Sequence, residues 1–512
     1  MFSPLPTPLE MSGWDRVAID KIGIRGEILM ENAGREAVFA LLNEYGDITG
    51  KRILIIAGSG NNGGDGFVMG RLFADFGADV LILHTAPKSK YKGDAAYHLK
   101  IAAKLGVELK YFRPAENVVL PESDIIIDGL LGTGFEGELR PFAHLVVEAI
   151  NRSSANSYIF SIDIPSGLNG LTGEPQPVAV KAHATVTFEE AKLGLALPHA
   201  NQYTGTLIVT PIGIPAEIKY THPPAHFLIK EDILENLPVP TLTMHKGTSG
   251  HVLLVGASKG LTGALHLAGI SVLRAGAGLV TMACPEGLAS EVKGGKPELM
   301  TMALGSGDQW NDQMIAELLP ELEKYDSLVI GPGLGRDEAG QNLVEAVVEN
   351  GHPAAVYDAD ALFALARRSY LMQSIAENSI FTPHPGEMST LVNRTIADVE
   401  SSRIETARKY AVSKQIYLIL KGAGTVIGCP DGKTMISPIS APNLAAAGSG
   451  DILAGVIGAL LARGIPPMQS ACMGVYWHGM AGVYLGEKFP YRGNIATEIA
   501  DMLPEVLKEE LC

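Results

Sequence analysis

The sequence predicts an α/β protein with two domains, each built around an open parallel sheet. Apolar runs of strand length lead repeatedly into glycine-rich loops and then into helical segments, which is the element order of a doubly wound sheet. Glycine provides 58 of the 512 residues while aromatic residues provide only 6%, a balance that suits folds with many tight turns facing phosphate. A chain of this length is also too long for a single hydrophobic core.

The composition excludes several classes of protein. The 40 Lys and Arg residues against 56 Asp and Glu residues give a net charge of −16, which argues against non-specific nucleic-acid binding. We expect no signal peptide, and the longest apolar run is about half a membrane span. The cysteines show no CxxC spacing and predict neither a disulfide framework nor a zinc site: Cys284, Cys429, Cys472 and Cys512. We therefore expect a cytoplasmic protein with no membrane partner.

The first predicted strand, residues 52–57, leads directly into the segment GSGNNGGDG at 58–66. A helix predicted over 67–76 and a strand predicted over 80–84 complete a β–loop–α–β unit, which predicts a Rossmann-like three-layer domain. Two carboxamides and a carboxylate among glycines can bind phosphate through backbone N–H groups and a cation through side-chain oxygens. A tight turn without a ligand is the alternative for this segment.

Polar side chains follow two further predicted strands, 124–128 and 158–162. In an open parallel sheet, ligands bind outside the carboxyl ends of the strands. We therefore expect the polar residues at these ends to converge with the first loop at one site: Asn62, Asp128, Asp163 and Ser166. Lys192 follows another predicted strand and either joins this site or is a solvated surface lysine.

Prolines are concentrated between residues 211 and 243. Proline stiffens a chain and interrupts strand pairing, as expected of a linker. We therefore predict domains over 1–220 and 244–512, joined by a proline-rich linker over 221–243.

The second half repeats the pattern of strand, polar loop and helix. The loops after its predicted strands are rich in glycine and polar residues: 256–260, 331–335, 358–360, 382–387 and 421–425. We therefore expect a second α/β domain whose loops share one edge of its sheet. Lys421 lies beside two glycines and Thr425, which suits a polyphosphate because a fixed positive charge stands next to unobstructed N–H groups.

The segment GSGD at 448–451 opens a helix whose apolar residues recur at helical spacing. Such a helix N-terminus favours anions, with Asp451 beside it as a base, whereas the alternative is that Asp451 only caps the helix. His384 lies between prolines, and we interpret it as functional, with a helix cap or a buried histidine as the alternative. Asp358 and Asp360 are interpreted as helix caps, with Mg²⁺ binding as the alternative.

The first half, over residues 9–215, resembles the NAD(P)H-hydrate epimerase domain of bifunctional NAD(P)H-hydrate repair enzymes. The resemblance rests on MENAGR, GSGNNGGDG, DGLLGTGFEG, DIPSGL and TVTF…AKLG. It implies that Asn62, Asp128 and Ser166 hold a potassium ion. It also implies that Asp163 and Lys192 are the acid/base candidates at the hydrated nicotinamide ring. The implied contacts with the hydrate are Asn61, Asn62, Gly63, Gly64, Asp65, Gly132, Thr133, Gly134, Phe135, Glu136, Gly137, Glu138 and Asp163.

The second half, from residue 229 onward, resembles the ADP/ATP-dependent NAD(P)H-hydrate dehydratase domain, whose fold is ribokinase-like. The resemblance rests on HKG, GPGLG, DADAL, TPHPGE, LKGAGT and AGSGD. The implied contacts with ADP or ATP, which comes with a magnesium ion, are Lys421, Gly422, Ala423, Gly424, Thr425 and Gly450. The implied contacts with the hydrate are Ala264, Gly335, His384 and Asp451, with Asp451 as general base.

Together the two resemblances imply a bifunctional isomerase and lyase. The first domain would interconvert R- and S-hydrates of NADH and NADPH, and the second would dehydrate the S-hydrate with ADP or ATP. They also imply a homo-oligomer. Two alternatives remain: a ribokinase-like small-molecule kinase fused to a nucleotide-binding domain, and a protein whose first domain binds nucleotide without turnover.

Overall fold

A computed structural model of the chain describes residues 1–113, 118–135 and 137–511. The chain divides into two compact units, one formed by Ser3–His226 and the other by Met1–Phe2 with the chain from Phe227 onward. The division falls inside the proline-rich stretch 221–243. The first strand, β1 (Phe2–Pro4), belongs to the larger of two sheets.

In the first unit, the described residues form a seven-stranded sheet in which all neighbours are parallel. Its strands are β2 (Arg52–Ala57), β3 (Asp79–His84), β4 (Glu108–Tyr111), β5 (Ile125–Gly129), β6 (Tyr158–Ile162), β7 (Ala184–Phe188) and β8 (Thr206–Thr210). Their order across the sheet is β4-β3-β2-β5-β6-β7-β8. The helices of this unit are α1 (Pro8–Arg16), α2 (Gly26–Tyr45), α3 (Asn61–Asp75), α4 (Gly93–Lys104), α5 (Pro141–Ser153), α6 (Asn201–Thr204) and α7 (Ala216–Thr221).

Strand β2 shows why this unit has three layers. Ile53 and Ile55 belong to one hydrophobic cluster, whereas Leu54 and Ile56 belong to another. Successive side chains of a strand point to opposite faces, so both faces of the sheet are covered. The predicted α/β class and the three-layer arrangement are confirmed.

Helix α3 begins six residues earlier than the helix that we predicted over 67–76. The segment NNGGDG forms its first turns because two glycines allow very close packing. A Cβ on Gly63 would lie 1.9 Å from the carbonyl oxygen of Gly58, and one on Gly64 would lie 2.5 Å from Met30 Sδ. Glycine disfavours a helix intrinsically, so this tertiary packing overrides the local propensity on which the prediction relied.

The described residues also form an eleven-stranded sheet, with β10 to β18 in the second unit, in the order β1-β9-β18-β17-β16-β15-β14-β13-β10-β11-β12. Its further strands are β9 (His226–Ile229), β10 (His251–Val255), β11 (Leu279–Pro285), β12 (Met300–Leu304), β13 (Ser327–Ile330), β14 (Ala354–Tyr357), β15 (Ile380–Phe381), β16 (Tyr417–Leu420), β17 (Val426–Gly428) and β18 (Thr434–Ile436). Neighbours from β16 to β12 are parallel, whereas β16, β17 and β18 pair antiparallel.

The helices of the second unit cover both faces of its sheet. They are α8 (Thr262–Arg274), α9 (Ala289–Lys293), α10 (Asp312–Leu318), α11 (Glu338–Asn350), α12 (Asp360–Arg367), α13 (Pro385–Val392), α14 (Ile396–Glu400), α15 (Arg403–Lys414), α16 (Ser449–Ala462), α17 (Pro467–Lys488) and α18 (Ala496–Leu511). Leu254 packs in one hydrophobic cluster while its neighbours Leu253 and Val255 pack in the other. This is the second three-layer domain that the sequence predicts.

Helix α16 is buried from Ile452 to its end, since every residue from Ile452 to Ala462 is inaccessible or nearly so. It packs closely on α8, because a Cβ on Gly455 would lie 2.0 Å from Ser271 Oγ. The helix therefore holds its first turn in a fixed place at the edge of the sheet.

Two further expectations concern the described residues only. Cys284, Cys429 and Cys472 are buried and form no disulfide, as predicted, while Cys512 lies outside the described residues. None of the helices that the structure describes is long and apolar enough to span a bilayer.

Candidate active sites

Asn62 stands at the centre of the first candidate site, at the carboxyl ends of β2, β5 and β6. Its Nδ2 donates hydrogen bonds to the carbonyl oxygens of Leu131 (2.7 Å) and Ile162 (3.0 Å). Its Oδ1 is buried and has no hydrogen-bond partner among the described residues. A buried oxygen without a donor is costly, and a cation would satisfy it.

Asp128 and Ser166 lie next to this amide. Ser166 Oγ donates to Asp128 Oδ1 (2.6 Å), and the backbone N–H of Ser166 donates to Asp128 Oδ2 (2.8 Å). Ser166 Oγ also lies 3.3 Å from the carbonyl oxygen of Leu131, which Asn62 contacts. Burial raises the pKa of Asp128, against the opposing effect of these hydrogen bonds. The structure thus gathers the three predicted potassium ligands around the Leu131 carbonyl.

Asp163 and Lys192 form a buried ion pair in the same unit. Lys192 Nζ donates to Asp163 Oδ1 (2.6 Å), Thr187 Oγ1 (2.8 Å) and the carbonyl oxygen of Phe188 (3.2 Å), so all three of its donors are used. The lysine side chain is 1% exposed, which shows that the surface-lysine alternative is wrong. Asp163 has φ +64°, a strained conformation of the kind that clusters at active sites.

Two carboxyl groups near this ion pair also have raised pKa values. Burial raises the pKa of Asp15 to about 6; Lys192 lowers it, and the charges of Asp163 and Glu189 raise it. Burial raises the pKa of Asp65 well above its usual range, and the negative charges of Asp163 and Asp15 add to the rise. Asp65 was predicted as a hydrate contact. Asp15 was missed, because nothing in the sequence around α1 shows that this helix is near the charged residues that follow β6 and β7.

The loop at 132–138 reaches the site through its first residues. The backbone N–H of Thr133 donates to Asp163 Oδ2 (3.2 Å), and a Cβ on Gly132 would lie 3.3 Å from the same oxygen. Asn61 and Glu138 are exposed, and Gly134 and Gly137 face open space. Phe135 packs against the hydrophobic cluster beneath the loop. The prediction for Glu136 lies outside the described residues.

The second candidate site begins at the N-terminus of α16. The N-cap is Gly448, with φ +87° and no side-chain hydrogen bond, so the alternative that Asp451 caps this helix is wrong. Asp451 instead occupies the first turn, and in the described part of the chain its carboxylate accepts no hydrogen bond. Gly448 must lack a side chain here, since a Cβ would lie 2.4 Å from Leu267 Cδ1. A free carboxylate therefore stands beside the free N–H groups of a helix start.

The pKa of Asp451 is raised to about 7, first by burial and then by the negative charge of Asp358. Lys421 lowers it, and Asp360 and Glu387 raise it further. A carboxylate with a pKa near neutrality is suited to accept a proton at physiological pH.

Lys421 is held by Asp358, which corrects our interpretation of Asp358 as a helix cap. Lys421 Nζ donates to Asp358 Oδ1 (2.9 Å), which also accepts from Thr382 Oγ1 (2.7 Å). Burial would lower the pKa of Lys421, but Asp358 and Glu387 outweigh it, so the pKa is raised and the ammonium stays charged. Asp358 was missed as a functional residue because its partner follows β16, far along the chain.

The loop after β16 brings the predicted nucleotide contacts to the start of α16. A Cβ on Gly450 would lie 3.2 Å from Lys421 Nζ and 4.0 Å from Asp358 Oδ2. Thr425 Oγ1 donates to the carbonyl oxygen of Gly422 (2.9 Å), which closes the loop that also contains Ala423 and Gly424. A lysine, a glycine-rich loop and a helix N-terminus thus face one another, as a polyphosphate site requires.

His384 and Gly335 belong to two further loops of the second unit that were predicted to contact the hydrate. His384 is the N-cap of α13 and accepts the N–H of Gly386 at Nδ1 (3.0 Å), so the predicted cap alternative is observed. Its imidazole is also 55% exposed and lines a cavity together with Glu387. The N–H of Gly335 donates to Asp360 Oδ2 (2.9 Å), and Asp360 does not cap the helix as we had interpreted, since the N-cap is Ala359.

Ala264 is the remaining predicted contact with the hydrate. It lies in the first turn of α8, with its Cβ 3.3 Å from where a Cβ of Gly333 would stand. It therefore adjoins the GPGLG loop that contains Gly335.

Comparison with known proteins gives matches to both halves. A family model described as YjeF-related protein N-terminus matches residues 26–194, and one described as NAD(P)H-hydrate dehydratase matches residues 252–505. The bifunctional NAD(P)H-hydrate repair enzyme Nnr of Moorella thermoacetica is 38% identical over 514 residues, covering 98% of this chain and 96% of the relative. The corresponding enzyme of Coxiella burnetii is 35% identical over 487 residues, covering 95% of each chain.

A solved structure also resembles part of the chain. The ribokinase-like superfamily protein of Enterococcus faecalis V583 has a TM-score of 0.50 and 25% sequence identity, covering 56% of this chain and 96% of that chain. The likeness supports the predicted ribokinase-like fold.

Proposed function

The chain belongs to the family of bifunctional NAD(P)H-hydrate repair enzymes, and from this premise we propose which residues perform its two reactions. The enzyme epimerises the R- and S-hydrates of NADH and NADPH, and it dehydrates a hydrate back to the reduced cofactor. The assignment rests on the carboxylate of Asp451, which accepts no hydrogen bond within the described residues and lies close to Lys421 at the start of a buried helix.

For dehydration, Asp451 takes the proton of the C6 hydroxyl of the S-hydrate as general base. The hydroxyl oxygen attacks the terminal phosphorus of ADP or ATP, and the bond from this phosphorus to the bridging oxygen breaks. Lys421 and the backbone N–H groups at the start of α16 stabilise the transferring phosphoryl group. The C6–O bond then breaks with release of inorganic phosphate, and loss of a proton from C5 restores the ring double bond.

Magnesium enters this proposal with the nucleotide. Mg²⁺ bound to the phosphates supplies charge neutralisation at the phosphoryl group. Within the described residues no group of three or more His, Cys, Asp or Glu side chains is placed to hold a metal ion. We therefore assign no protein ligand to the magnesium ion.

For epimerisation, Asp163 and Lys192 are the acid/base pair. Inversion at C6 requires that the C6–O bond breaks, with a proton given to the departing hydroxyl so that it leaves as water. Water then adds to the other face of C6 and the proton is taken back. An ammonium and a carboxylate 2.6 Å apart can provide both functions at one place. Burial and the charges of Asp163 and Asp15 also raise the pKa of Asp65, whereas Lys192 lowers it.

A potassium ion fits the residues beside this pair. Asn62 Oδ1 lacks a donor, and Asp128 and Ser166 offer further oxygens around the Leu131 carbonyl. We propose that Asn62, Asp128 and Ser166 hold the ion, whose charge would favour the ionised form of the buried Asp128. The ion supplies a fixed positive charge next to the hydrate.

Potassium binding predicts an ion-specific stabilisation of the first unit. At a K⁺ concentration ten times its Kd, the free energy of unfolding rises by about 1.4 kcal/mol relative to tetramethylammonium. Thermal melting in the two salts measures this increment in the wild type and in Asn62→Leu, which should lose it. Asn61→Leu, which replaces the exposed neighbouring amide, is the matched control and should keep it. An equal increment in Asn62→Leu would contradict the assignment.

The proposed function is tested by offering purified R- and S-hydrate with ADP, with ATP or with neither. We expect the two epimers to interconvert without nucleotide, and the S-hydrate to yield the reduced cofactor and inorganic phosphate with at least one nucleotide. Chromatography follows each epimer, and absorbance follows the reduced cofactor. A stable phosphorylated product would instead identify a kinase, and tight binding without epimer exchange would identify a binding domain.

A further inference from the structure

The cavity beside His384 has a positive residue that the chemistry of dehydration does not use. Its volume is about 250 Å³, and its lining includes Arg336, Phe363, His384 and Thr390. This volume is smaller than the roughly 300–1,000 Å³ of sites that enclose a whole small-molecule ligand. The cavity therefore suits one part of a larger molecule.

Arg336 is oriented for an anion. Its Nε donates to Asp360 Oδ1 (2.8 Å), the residue that also accepts the N–H of Gly335. Its guanidinium carbon lies 5.1 Å from the ring centroid of Phe363, so the ring supports the guanidinium through a cation–π contact. The terminal nitrogens make no hydrogen bond within the described ranges, and the side chain is 59% exposed. A fixed guanidinium with two unused donor groups matches a phosphate.

The cavity adjoins Lys421 of the proposed catalytic site through a shared residue, Glu387. Glu387 lines the cavity, and its Oε2 lies 4.0 Å from Lys421 Nζ. Burial raises the pKa of Glu387, while the nearby Lys421 opposes the rise. A ligand whose reacting end lies at Asp451 can therefore extend past His384 towards Arg336.

The substrate of the proposed reaction has the matching chemistry. A hydrated NADH is a dinucleotide with a pyrophosphate, and hydrated NADPH has an additional phosphate on the adenosine ribose. A chain with a net charge of −16 repels such an anion overall, so a local cation is needed where the phosphates bind. We propose that Arg336, supported by Phe363 and Asp360, binds a phosphate group of the hydrate, an inference that rests on the proposed dehydration.

The test compares Arg336→Gln with the wild type in steady-state dehydration of S-NADH hydrate and S-NADPH hydrate. We expect KM for the hydrate to rise about 10- to 100-fold, the effect of losing a charge-assisted hydrogen bond, while kcat and the KM for ADP or ATP stay within about twofold. A rise for both hydrates identifies the pyrophosphate as the bound group. A rise for NADPH hydrate alone identifies the ribose phosphate. Arg336→Lys, which keeps the charge but lacks the planar fork, should recover part of the loss.

Arg367 provides the matched control, because its guanidinium lies 5.3 Å from the same ring but the residue does not line the cavity. Arg367→Gln removes an identical charge and should leave the hydrate KM unchanged. The inference is overturned if Arg336→Gln leaves both hydrate KM values unchanged, or if the two variants behave alike. Failure of the wild type to convert either hydrate with either nucleotide would instead overturn the proposed function, so the two failures are distinguishable. Thermal melting confirms that each variant is folded.

Discussion

Asp451→Asn should abolish dehydration of the S-hydrate while the interconversion of the epimers continues. Asparagine has nearly the same shape as aspartate but cannot accept the C6 hydroxyl proton, so we expect kcat to fall by about 10²- to 10⁴-fold. Formation of reduced cofactor from S-hydrate with ADP or ATP measures the loss. Epimer exchange in the same preparation shows that the other unit is intact.

A capping residue provides the control for this substitution. Asp337 is a true N-cap, since its Oδ1 accepts the N–H of Gly340 (2.9 Å) at the start of α11. Asparagine caps a helix as well as aspartate does, so Asp337→Asn should leave dehydration unchanged. If Asp451→Asn also left the rate of dehydration unchanged, Asp451 would have no function in the reaction.

The pH dependence gives a second readout of the same group. A general base acts only when deprotonated, and the pKa of Asp451 is raised to about 7 by burial and by Asp358, Asp360 and Glu387, against Lys421. The rate of dehydration should therefore be low at pH 6, reach half its maximum near pH 7 and level off above pH 8. A rate that is flat or falls over this range would contradict the assignment.

Loss of either member of the Asp163–Lys192 pair should abolish epimerisation and leave dehydration in place. We expect Asp163→Asn and Lys192→Gln each to reduce epimer exchange by about 10²- to 10⁴-fold. Asparagine suits position 163 because it tolerates the left-handed backbone that the structure shows there. Exchange is measured by chromatography of purified R-hydrate without nucleotide.

Stability must be separated from chemistry in this experiment. Leaving one buried charge without its partner costs about 3–5 kcal/mol, and Lys192 is 1% exposed. The double variant Asp163→Asn/Lys192→Gln removes both charges, so it should recover stability in thermal melting without recovering exchange. Lys219→Gln breaks another lysine–carboxylate pair of this unit, with Glu189 and Glu190, and should leave exchange largely unchanged. Recovery of activity by the double variant would show that the pair has only a structural function.

Candidate functional residues that follow strands were predicted from the sequence better than candidate functional residues elsewhere in the chain. Asn62, Asp128 and Ser166 each lie at or just beyond a strand end, and parallel topology alone brings such residues to one edge. Lys421 was found in the same way, whereas the GSGD segment was identified as the glycine-rich start of an apolar helix. Their specific functions stay predictions that the proposed experiments test.

The residues that were missed are defined by distant partners. Asp15 belongs to a helix with no local sign of function, and its perturbed pKa arises from burial and from charges on later segments. Asp358 was interpreted as a cap because a carboxylate before a helix usually has that function, yet it binds Lys421 instead. Helix α3 shows the same limitation, since its first turns contain glycines that pack against Gly58 and Met30 with no space for side chains. Local sequence does not contain these contacts.

The tight contact between α16 and α8 has a consequence for how mutations in this enzyme should be interpreted. A methyl group at Gly455 would collide with Ser271 Oγ at 2.0 Å and with the Ala268 carbonyl oxygen at 2.4 Å, so the helix cannot slide along its axis without disturbing the hydrophobic interior. The position of Asp451 is thereby coupled to the integrity of packing behind it. A substitution in the hydrophobic interior behind α16 can therefore lower turnover in the same way as loss of an active-site residue, before the protein unfolds.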